Sequence, residues 1–217
     1  MALAIFDLDD TLIDGDCASL WSQQMARLAW VDGESFLRRD AELMAAYAEG
    51  KLAMEDYMAF SLSPLVGRTE EEVAFVVAPF VEEVIEPLIH GDACACLARH
   101  RAAGDRLLVI SASAHFLVSA IAERLGVGEV LAIDLDQAHG HYNGQTRGVL
   151  TYREGKVTRL LDWLQAEGES LDGAYFYSDS RNDLPLLQRV AFPHAVNPDP
   201  VLHAHAEKAG WPILRWR

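Results

Sequence analysis

The sequence predicts an α/β protein, in which a doubly wound parallel sheet carries an α-helical domain inserted after its first strand. Two observations support this prediction. Short apolar runs recur along the chain, with amphipathic helical patterns between most of them, and this alternation is typical of a parallel sheet covered by helices on both faces. One long stretch, from about residue 14 to residue 90, breaks the alternation and has helical periodicity alone.

Five apolar runs have the length and composition of buried strands. In chain order they read ALAIF, RLLVIS, EVLAIDL, AYFYS and FPHAV. Amphipathic patterns predict helices over residues 115–125 and 155–164. Ligands of doubly wound sheets bind beyond the carboxyl ends of the strands. We therefore expect Asp7, Ser111 and Asp179, which end or follow three of these runs, to lie at one rim of the sheet.

The helical stretch is predicted to be a separate domain. Its apolar residues recur at helical spacing in three groups, around Trp21, Leu43 and Val77, and no strand-like run interrupts them. The chain is therefore divided into a core of residues 1–14 and 91–217 and a helical insertion of residues 15–90.

A hairpin is predicted near the middle of the core. The segment HYNGQTRGVLTY, residues 141–152, alternates apolar and polar residues and contains Asn143–Gly144, a strong signal for a two-residue turn. His139 and His141 are expected on the same hairpin. The eight histidines of the chain show no metal-ligand spacing, so a histidine metal site is not predicted.

Composition argues against several classes of function. Hydrophobic residues make up 51% of the 217, enough for one core plus a smaller insertion, and no apolar run approaches the length of a membrane span. The formal charge of −15 repels nucleic acid and anionic membranes, so neither is expected as a partner. Cys17, Cys94 and Cys96 fit neither a disulfide framework nor a zinc site, and the short N-terminal apolar segment does not resemble a signal peptide. A cytoplasmic location is expected, and the oligomeric state is left open.

Acidic residues gather where two of the strands end. Asp7 and Asp9 follow the first run, and Asp179 and Asp183 lie in SDSRND after the fourth. Alternate residues of an extended segment face the same side, so Asp7 and Asp9 can face one opening. A hard divalent cation such as Mg²⁺, which prefers oxygen ligands, would make such a cluster of carboxylates tolerable.

Two further residues suit a phosphate. Ser111 ends the second run, and Lys156 lies at the start of the helix in REGKVTRLL. The lysine and the backbone amides of a helix start near Ser111 can bind phosphate oxygens. The cluster therefore predicts a site for a divalent cation and a phosphate together.

These motifs resemble those of a known family. DLDDT at Asp7, VISAS at Ser111, Lys156 and SDSRND at Asp179 stand in the order found in the haloacid dehalogenase superfamily of phosphohydrolases, and the resemblance covers about residues 3–200. The helical insertion is similar to the C1 cap of the phosphoserine-phosphatase-like subgroup, subclass IB. Ser178 departs from the family, which often has glycine there, and Arg181 lies in a loop that is often small; the role of Arg181 is left open.

The resemblance implies an Mg²⁺-dependent phosphomonoester hydrolase with defined catalytic roles. Asp7 would be the nucleophile that forms an aspartyl-phosphate. Asp9 would protonate the leaving oxygen and then activate the water that hydrolyses the intermediate. The metal would be bound by the Asp7 carboxylate, the Asp9 main-chain carbonyl and the Asp179 carboxylate. Asp183 would support it, either directly or through water.

The same resemblance implies contacts to the phosphate. Ser111 and Lys156 would hold phosphoryl oxygens, and Asn182 would contact the phosphate. Asp10 is expected to be structural because its side chain faces away from the site. Thr11 is expected to form a hydrogen bond within its own loop.

The helical insertion is expected to select the organic half of the substrate. Residues 14–90 carry 15 acidic and 5 basic residues, which suits a cationic substrate. Asp16 stands where phosphoserine phosphatases carry a glutamate that meets the substrate amine; the alternative is that it only caps a helix. The arginine that those enzymes use for the serine carboxylate is missing, since Ala59 and Ser61 fall at that place. An amino-alcohol phosphate such as L-histidinol phosphate is therefore preferred. Phosphoserine is the alternative, with Arg68 or Arg181 replacing the missing arginine.

Two other classes share part of the pattern. A receiver-type signalling domain is also acidic and doubly wound, but it has no helical insertion and no acid two positions beyond its phosphorylated aspartate, where this chain has Asp9. A catalytically inactive phosphate-binding module would be free to lose one of the acids, and the complete set argues against it. Turnover of an aryl phosphate separates an enzyme from both.

Overall fold

The structure is a computed structural model that describes residues 2–217. Its strands are β1 (Leu3–Phe6), β2 (Arg106–Ala114), β3 (Glu129–Ala138), β4 (His141–Arg147), β5 (Tyr175–Ser178), β6 (Phe192–Val196) and β7 (Ile213–Leu214). Over the described residues they form one seven-stranded sheet in the order β4-β3-β2-β1-β5-β6-β7. Every neighbouring pair is parallel except β3 and β4. All five predicted strands are present, and the predicted doubly wound sheet is confirmed.

Helices cover both faces of the sheet. They are α1 (Cys17–Arg27), α2 (Gly33–Ala48), α3 (Met54–Leu62), α4 (Glu70–Phe80), α5 (Gly91–Ala102), α6 (His115–Arg124), α7 (Glu154–Glu167), α8 (Leu184–Leu187) and α9 (Pro200–Ala209). A π-helical turn (Val81–Ile85) follows α4. Of the helices in residues 2–217, none is both long and apolar enough to cross a bilayer.

The two faces of β1 belong to two hydrophobic clusters, because successive side chains of a strand point to opposite sides. Ala4 and Phe6 pack in the cluster that includes α5, α6 and the inserted helices. Leu3 and Ile5 pack in the cluster formed with α7, α8 and α9. The central strand is therefore buried on both faces, which explains its uninterrupted apolar run.

The inserted helices α1 to α4 leave and rejoin the core at one narrow point. Ile13 and Ile89 form an isolated antiparallel bridge. On either side of it, Asp14 N donates to Leu88 O (2.8 Å) and His90 N donates to Leu12 O (3.0 Å). The chain segments that enter and leave the insertion therefore lie side by side, next to the boundary predicted from the sequence.

The hairpin differs from the prediction in its turn. Ala138 pairs with His141, so the two-residue turn is His139–Gly140, where both residues have positive φ. The predicted turn at Asn143–Gly144 is wrong: both residues lie within β4, and residues 148–152 form no strand. The reason is that β3 extends to Ala138, so its pairing with β4 places the turn earlier than the local Asn-Gly signal does.

Candidate active site

The predicted site residues surround the point where the sheet reverses its winding. Asp7 directly follows β1, whose neighbours β2 and β5 lie on opposite sides, and such a switch point leaves a crevice at the strand ends. A cavity of about 330 Å³ opens there. Its lining combines residues of the strand ends with residues of the inserted helices: Asp7, Asp9, Ser113, Lys156, Asp179 and Asn182 from the former, Asp16, Met44, Tyr47, Leu52, Met54 and Tyr57 from the latter.

Lys156 is buried between two carboxylates. Its Nζ donates to Asp7 Oδ1 at 2.9 Å and to Asp183 Oδ2 at 2.8 Å, and only 3% of the residue is exposed. Ser178 Oγ also donates to Asp183 Oδ2 at 2.7 Å. Ser178, the departure noted in the sequence, therefore helps to hold the acid that orients Lys156.

Burial and neighbouring charges shift the pKa values of Asp7 and Lys156. Burial raises the pKa of Asp7 to about 7, and the neighbouring Lys156 opposes that rise. Burial alone would lower the pKa of Lys156, but Asp183 and Asp7 raise it above its ordinary value. The lysine is therefore a fixed positive charge beside the predicted nucleophile.

Asp9 is held on both of its carboxylate oxygens. Oδ1 accepts a hydrogen bond from Cys17 N in the first turn of α1 (2.7 Å), and Oδ2 accepts one from Ser113 Oγ (2.8 Å). Ser111 Oγ lies farther from Oδ2, at 3.4 Å. The sequence placed a strand end at Ser111, whereas β2 continues to Ala114; its regular pairing with β3 nevertheless stops at Ile110.

Asp179 forms two hydrogen bonds with Thr11. Thr11 Oγ1 donates to Asp179 Oδ1 (3.1 Å) and accepts from Asp179 N (3.0 Å). Thr11 N donates to Leu8 O (3.3 Å) within its own loop, as expected, whereas its side chain reaches across to the end of β5. Burial, together with the charges of Asp7 and Asp10, raises the pKa of Asp179 well above its ordinary value.

Two arginines connect the core to the end of α2. Arg153 Nε donates to Asn182 Oδ1 (3.1 Å), and its Nη2 donates to Gly50 O (2.7 Å). Arg181 Nη2 donates to Glu49 O (2.5 Å). These contacts fix Asn182 at the cavity wall and draw the end of α2 over the cavity.

Asp16 has both features that the sequence left as alternatives. It is the N-cap of α1, where its Oδ1 accepts from Ser19 N at 2.7 Å, and it also lines the cavity. Burial, followed by the charge of Asp9, raises its pKa to about 8. Over residues 2–217, no lysine, arginine or histidine forms an ion pair with it.

Comparison with known proteins identifies the family. The haloacid dehalogenase-like hydrolase family matches residues 4–188. The chain belongs to the haloacid dehalogenase-like hydrolases. It is 37% identical to a histidinol-phosphatase of Neisseria meningitidis serogroup C, with 99% of each chain covered.

Solved structures agree with this assignment. A protein of unknown function from Bordetella pertussis Tohama I superposes with a TM-score of 0.92 at 36% identity, over 98% of this chain and 97% of that one. A substrate-bound phosphoserine phosphatase superposes with a TM-score of 0.71 at 20% identity, over 98% and 92%, and shares the fold. The chain is an enzyme of the phosphatase class within the haloacid dehalogenase-like hydrolases.

Haloacid dehalogenase-like phosphatases generally use Mg²⁺, and the residues of this site fit such an ion. Within the described chain, no three His, Cys, Asp or Glu side chains converge as metal ligands. The predicted set needs only two side chains, Asp7 and Asp179, because Asp9 would bind through its main-chain carbonyl. Burial is the main cause of the raised pKa values of Asp7 and Asp179, and a bound cation would favour the ionised form of both groups.

Sequence reasoning missed three residues near this haloacid dehalogenase-like site. Ser113 could have been found, since it lies two residues after Ser111 on an extended strand and faces the same side. Arg153 and Tyr57 carried no local signal: Tyr57 lines the cavity, and Arg153 contacts the cavity residue Asn182, only because the inserted helices pack on the core. Arg68 lies outside the cavity, over the ring of Trp30, and cannot replace the missing carboxylate-binding arginine there.

Proposed function

We propose that this chain is an Mg²⁺-dependent phosphomonoester hydrolase that acts through an aspartyl-phosphate on a small amino-alcohol phosphate, with L-histidinol phosphate as the first candidate. The observation that carries the substrate assignment is the carboxylate of Asp16, which has no ion-pair partner among the described residues and lies in the same cavity as Asp7 and Lys156. The name of the Neisseria meningitidis relative supports the candidate. The proposal includes a core of residues 1–14 and 91–217, a helical cap of residues 15–90, and a cytoplasmic location.

The first half of the proposed reaction transfers the phosphoryl group to Asp7. Lys156 binds Oδ1 of Asp7, so Oδ2 is the oxygen that attacks phosphorus as the bond to the substrate oxygen breaks. Asp9 donates a proton to that leaving oxygen. The Cys17 and Ser113 hydrogen bonds hold its carboxylate still during this step.

The second half reverses the role of Asp9. Its carboxylate takes a proton from water as the water oxygen attacks the phosphorus of the aspartyl-phosphate, which releases phosphate and restores Asp7. Ser111, Lys156 and Asn182 would hold the phosphoryl oxygens. Mg²⁺, held by Asp7, the Asp9 carbonyl and Asp179 with support from Asp183, would balance the negative charge of the phosphoryl group.

Charges at the organic end of the cavity favour an amine without a carboxylate. Asp16 would accept a hydrogen bond from the substrate ammonium. Arg181 lines the cavity, but its Nη2 already donates to Glu49 O. Ser61 stands where phosphoserine phosphatases place their arginine, so phosphoserine would leave its carboxylate without that partner. Phosphoserine remains the second candidate, through a rearranged Arg181.

A charge-only substitution tests the amine contact. Asparagine caps helices as well as aspartate does, so Asp16→Asn removes the charge and keeps the cap. A charge-assisted hydrogen bond is worth about 1.5–3 kcal/mol, so kcat/KM on L-histidinol phosphate should fall roughly ten- to a hundredfold. Hydrolysis of an uncharged aryl phosphate should fall much less. Asp32→Asn at the exposed N-cap of α2 is the matched control and should change neither substrate.

The outcome separates the two candidates. Phosphoserine should be hydrolysed poorly by the wild-type protein if the carboxylate has no partner. Equal losses for Asp16→Asn on the amine-bearing and aryl phosphates would contradict the amine contact, and preferred turnover of phosphoserine would favour the second candidate.

Two further measurements test the mechanism. Asp7→Asn should abolish turnover, and acid-quenched wild-type enzyme should carry a phosphoryl group on the peptide that contains Asp7. Excess EDTA should remove activity, and added Mg²⁺ should restore it. Normal rates for Asp7→Asn would rule out the aspartyl-phosphate, and undiminished turnover in EDTA would rule out the metal.

A further inference from the structure

A small side pocket opens off the active-site cavity, between α1, α3 and the end of β2. Ala18, Tyr57 and Ser113 line both spaces, so the pocket continues the cavity beyond Asp16. Its volume is about 20 Å³. Its other walls are mostly apolar side chains: Trp21, Met25, Met58, Leu62, Leu65, Phe116 and Leu117.

Two residues that line this pocket each carry a buried polar atom with no hydrogen-bond partner among the described residues. Among residues 2–217, three buried side-chain nitrogen or oxygen atoms lack a hydrogen bond, namely Trp21 Nε1, Tyr57 Oη and Thr151 Oγ1. The first two belong to residues that line the side pocket, and those residues are only 3% and 5% exposed. Buried polar groups are nearly always satisfied, so two such atoms on residues of one pocket indicate that the pocket is filled by water or by a ligand with matching polar atoms.

The surrounding packing prevents these groups from turning elsewhere. The indole of Trp21 makes edge-to-face contacts with Trp30, Phe80 and Phe116, at centroid distances of 5.9, 5.3 and 5.7 Å. Burial raises the pKa of Tyr57 well above its ordinary value, so its hydroxyl keeps its proton and can both donate and accept.

We propose that the side pocket is a specificity subsite for a flat nitrogen heterocycle carried by the substrate, with Trp21 Nε1 and Tyr57 Oη as its hydrogen-bond partners. The indole N–H only donates, so the ligand must offer a lone pair there, and an imidazole ring offers one acceptor and one donor nitrogen. The apolar walls suit the faces of such a ring. At about 20 Å³ the closed pocket has room for little more than a water molecule, so Met25 and Met58, which are flexible side chains, must move to admit the ring.

This inference rests on the proposed function and extends it beyond the phosphate and the amine. It places the phosphate at Asp7, the ammonium at Asp16 and the ring between α1 and α3. The small amino-alcohol ethanolamine phosphate shares the first two groups and lacks the ring, so it is the reference substrate.

Kinetics of two variants test the subsite. Tyr57→Phe and Trp21→Phe each remove one hydrogen-bonding atom and keep an aromatic ring. For each, we expect kcat/KM on L-histidinol phosphate to fall about tenfold more than on ethanolamine phosphate, because the ring then loses a buried partner. Tyr142→Phe, at a buried tyrosine of β4 outside both pockets, is the matched control and should leave the ratio unchanged.

Stability separates binding from a structural role. Tyr57 Oη has no hydrogen-bond partner among residues 2–217, so Tyr57→Phe should leave the Tm unchanged or raise it. A lower Tm with equal losses on both phosphates would overturn the subsite and make Tyr57 a structural residue.

A binding measurement keeps the subsite separate from catalysis. The indole N–H signal of Trp21, assigned by its loss in Trp21→Phe, should shift in ¹⁵N–¹H spectra on addition of L-histidinol and stay in place with ethanolamine. A shift without hydrolysis of L-histidinol phosphate would support the subsite and overturn the proposed substrate. The opposite result is hydrolysis of L-histidinol phosphate without a shift, together with an unchanged ratio of kcat/KM on the two phosphates in Tyr57→Phe. It would support the substrate and overturn the subsite, which would then hold only water.

Discussion

At the scale of single residues, two hydrogen bonds fix the orientation of Asp9. Its carboxylate is clamped between the amide of Cys17 and the hydroxyl of Ser113. Proton transfer depends on a short, aligned hydrogen bond to the leaving oxygen, so a side chain with one fixed rotamer is an advantage. Ser113 is a positioning residue in this view, because it acts through Asp9.

This view predicts a dependence on the leaving group. Asp9→Asn should lower kcat on an alkyl phosphate by about 10²–10⁴-fold, and should affect 4-nitrophenyl phosphate less because its leaving group needs no proton. Ser113→Ala removes one hydrogen bond to Asp9, so its fold-loss of kcat on the alkyl phosphate should be roughly a tenth of that of Asp9→Asn. It should likewise affect 4-nitrophenyl phosphate less. Ser119→Ala on α6, outside the cavity, is the control. Equal losses of Ser113→Ala on both substrates would contradict a positioning role.

At the scale of secondary-structure elements, α2 obtains its C-terminal contacts from the core. Its last turn contains no basic residue of its own, and the carbonyls of Glu49 and Gly50 just beyond it accept from Arg181 and Arg153. Cations near a helix C-terminus are stabilised by the helix dipole. The same two contacts hold the end of α2 in place over the active-site cavity.

Glycine substitutions test this connection. Gly50 has φ +69°, and a Cβ there would come within 2.0 Å of Arg181 Nη2. Gly67 has φ +81° with nothing within 4 Å of its Cβ position. Both Gly50→Ala and Gly67→Ala should cost about 1 kcal/mol of stability through backbone strain. Only Gly50→Ala should also lower kcat/KM, because it displaces the arginine; equal kinetics for the two variants would show that the connection has no catalytic role.

At the scale of the whole molecule, the parallel sheet concentrates negative charge. Strand ends meet at one rim, and residues 14–90 add 15 acidic against 5 basic residues to a chain of net charge −15. Burial raises the pKa of Asp7 to about 7 and that of Asp16 to about 8, from an ordinary value of 3.8. In the metal-free protein, ionisation of these two buried carboxyl groups near neutral pH is therefore expected to destabilise the folded state.

The sign of the pH dependence follows from these shifts. Between pH 4 and 8 the folded state binds more protons on Asp7 and Asp16 than the unfolded state does. The free energy of unfolding should therefore fall as the pH rises through this window. In EDTA, the Tm should drop from pH 5 to pH 8, and Asp16→Asn should flatten that drop.

Magnesium should reverse this loss. A cation binds the ionised carboxylates of the folded state, so Mg²⁺ should raise the Tm more at pH 8 than at pH 5. Thermal unfolding at both pH values, with Mg²⁺ and with EDTA, measures the effect. A Tm that rises with pH in EDTA, or a magnesium effect independent of pH, would contradict the assignment of this loss of stability to Asp7 and Asp16.

Much of this protein was determined by its sequence alone. Apolar runs and helical periodicity are local properties, and they placed all five predicted strands and the long helical insertion. Parallel strands bring their carboxyl ends to one rim, so the encounter of Asp7 with Lys156, 149 residues apart in the chain, followed from motif order.

Tertiary structure decided everything that depends on how distant surfaces pack. The hairpin turn at His139 followed from the length of β3, which overrode the local Asn-Gly signal. Arg153 reaches Gly50 across 103 residues, and Thr11 reaches Asp179 across 168. Trp21 and Tyr57 share one pocket only because α1 and α3 pack against the end of β2. No local pattern encodes such contacts, because side-chain partners across a packed interface are selected by shape and burial after the elements have formed.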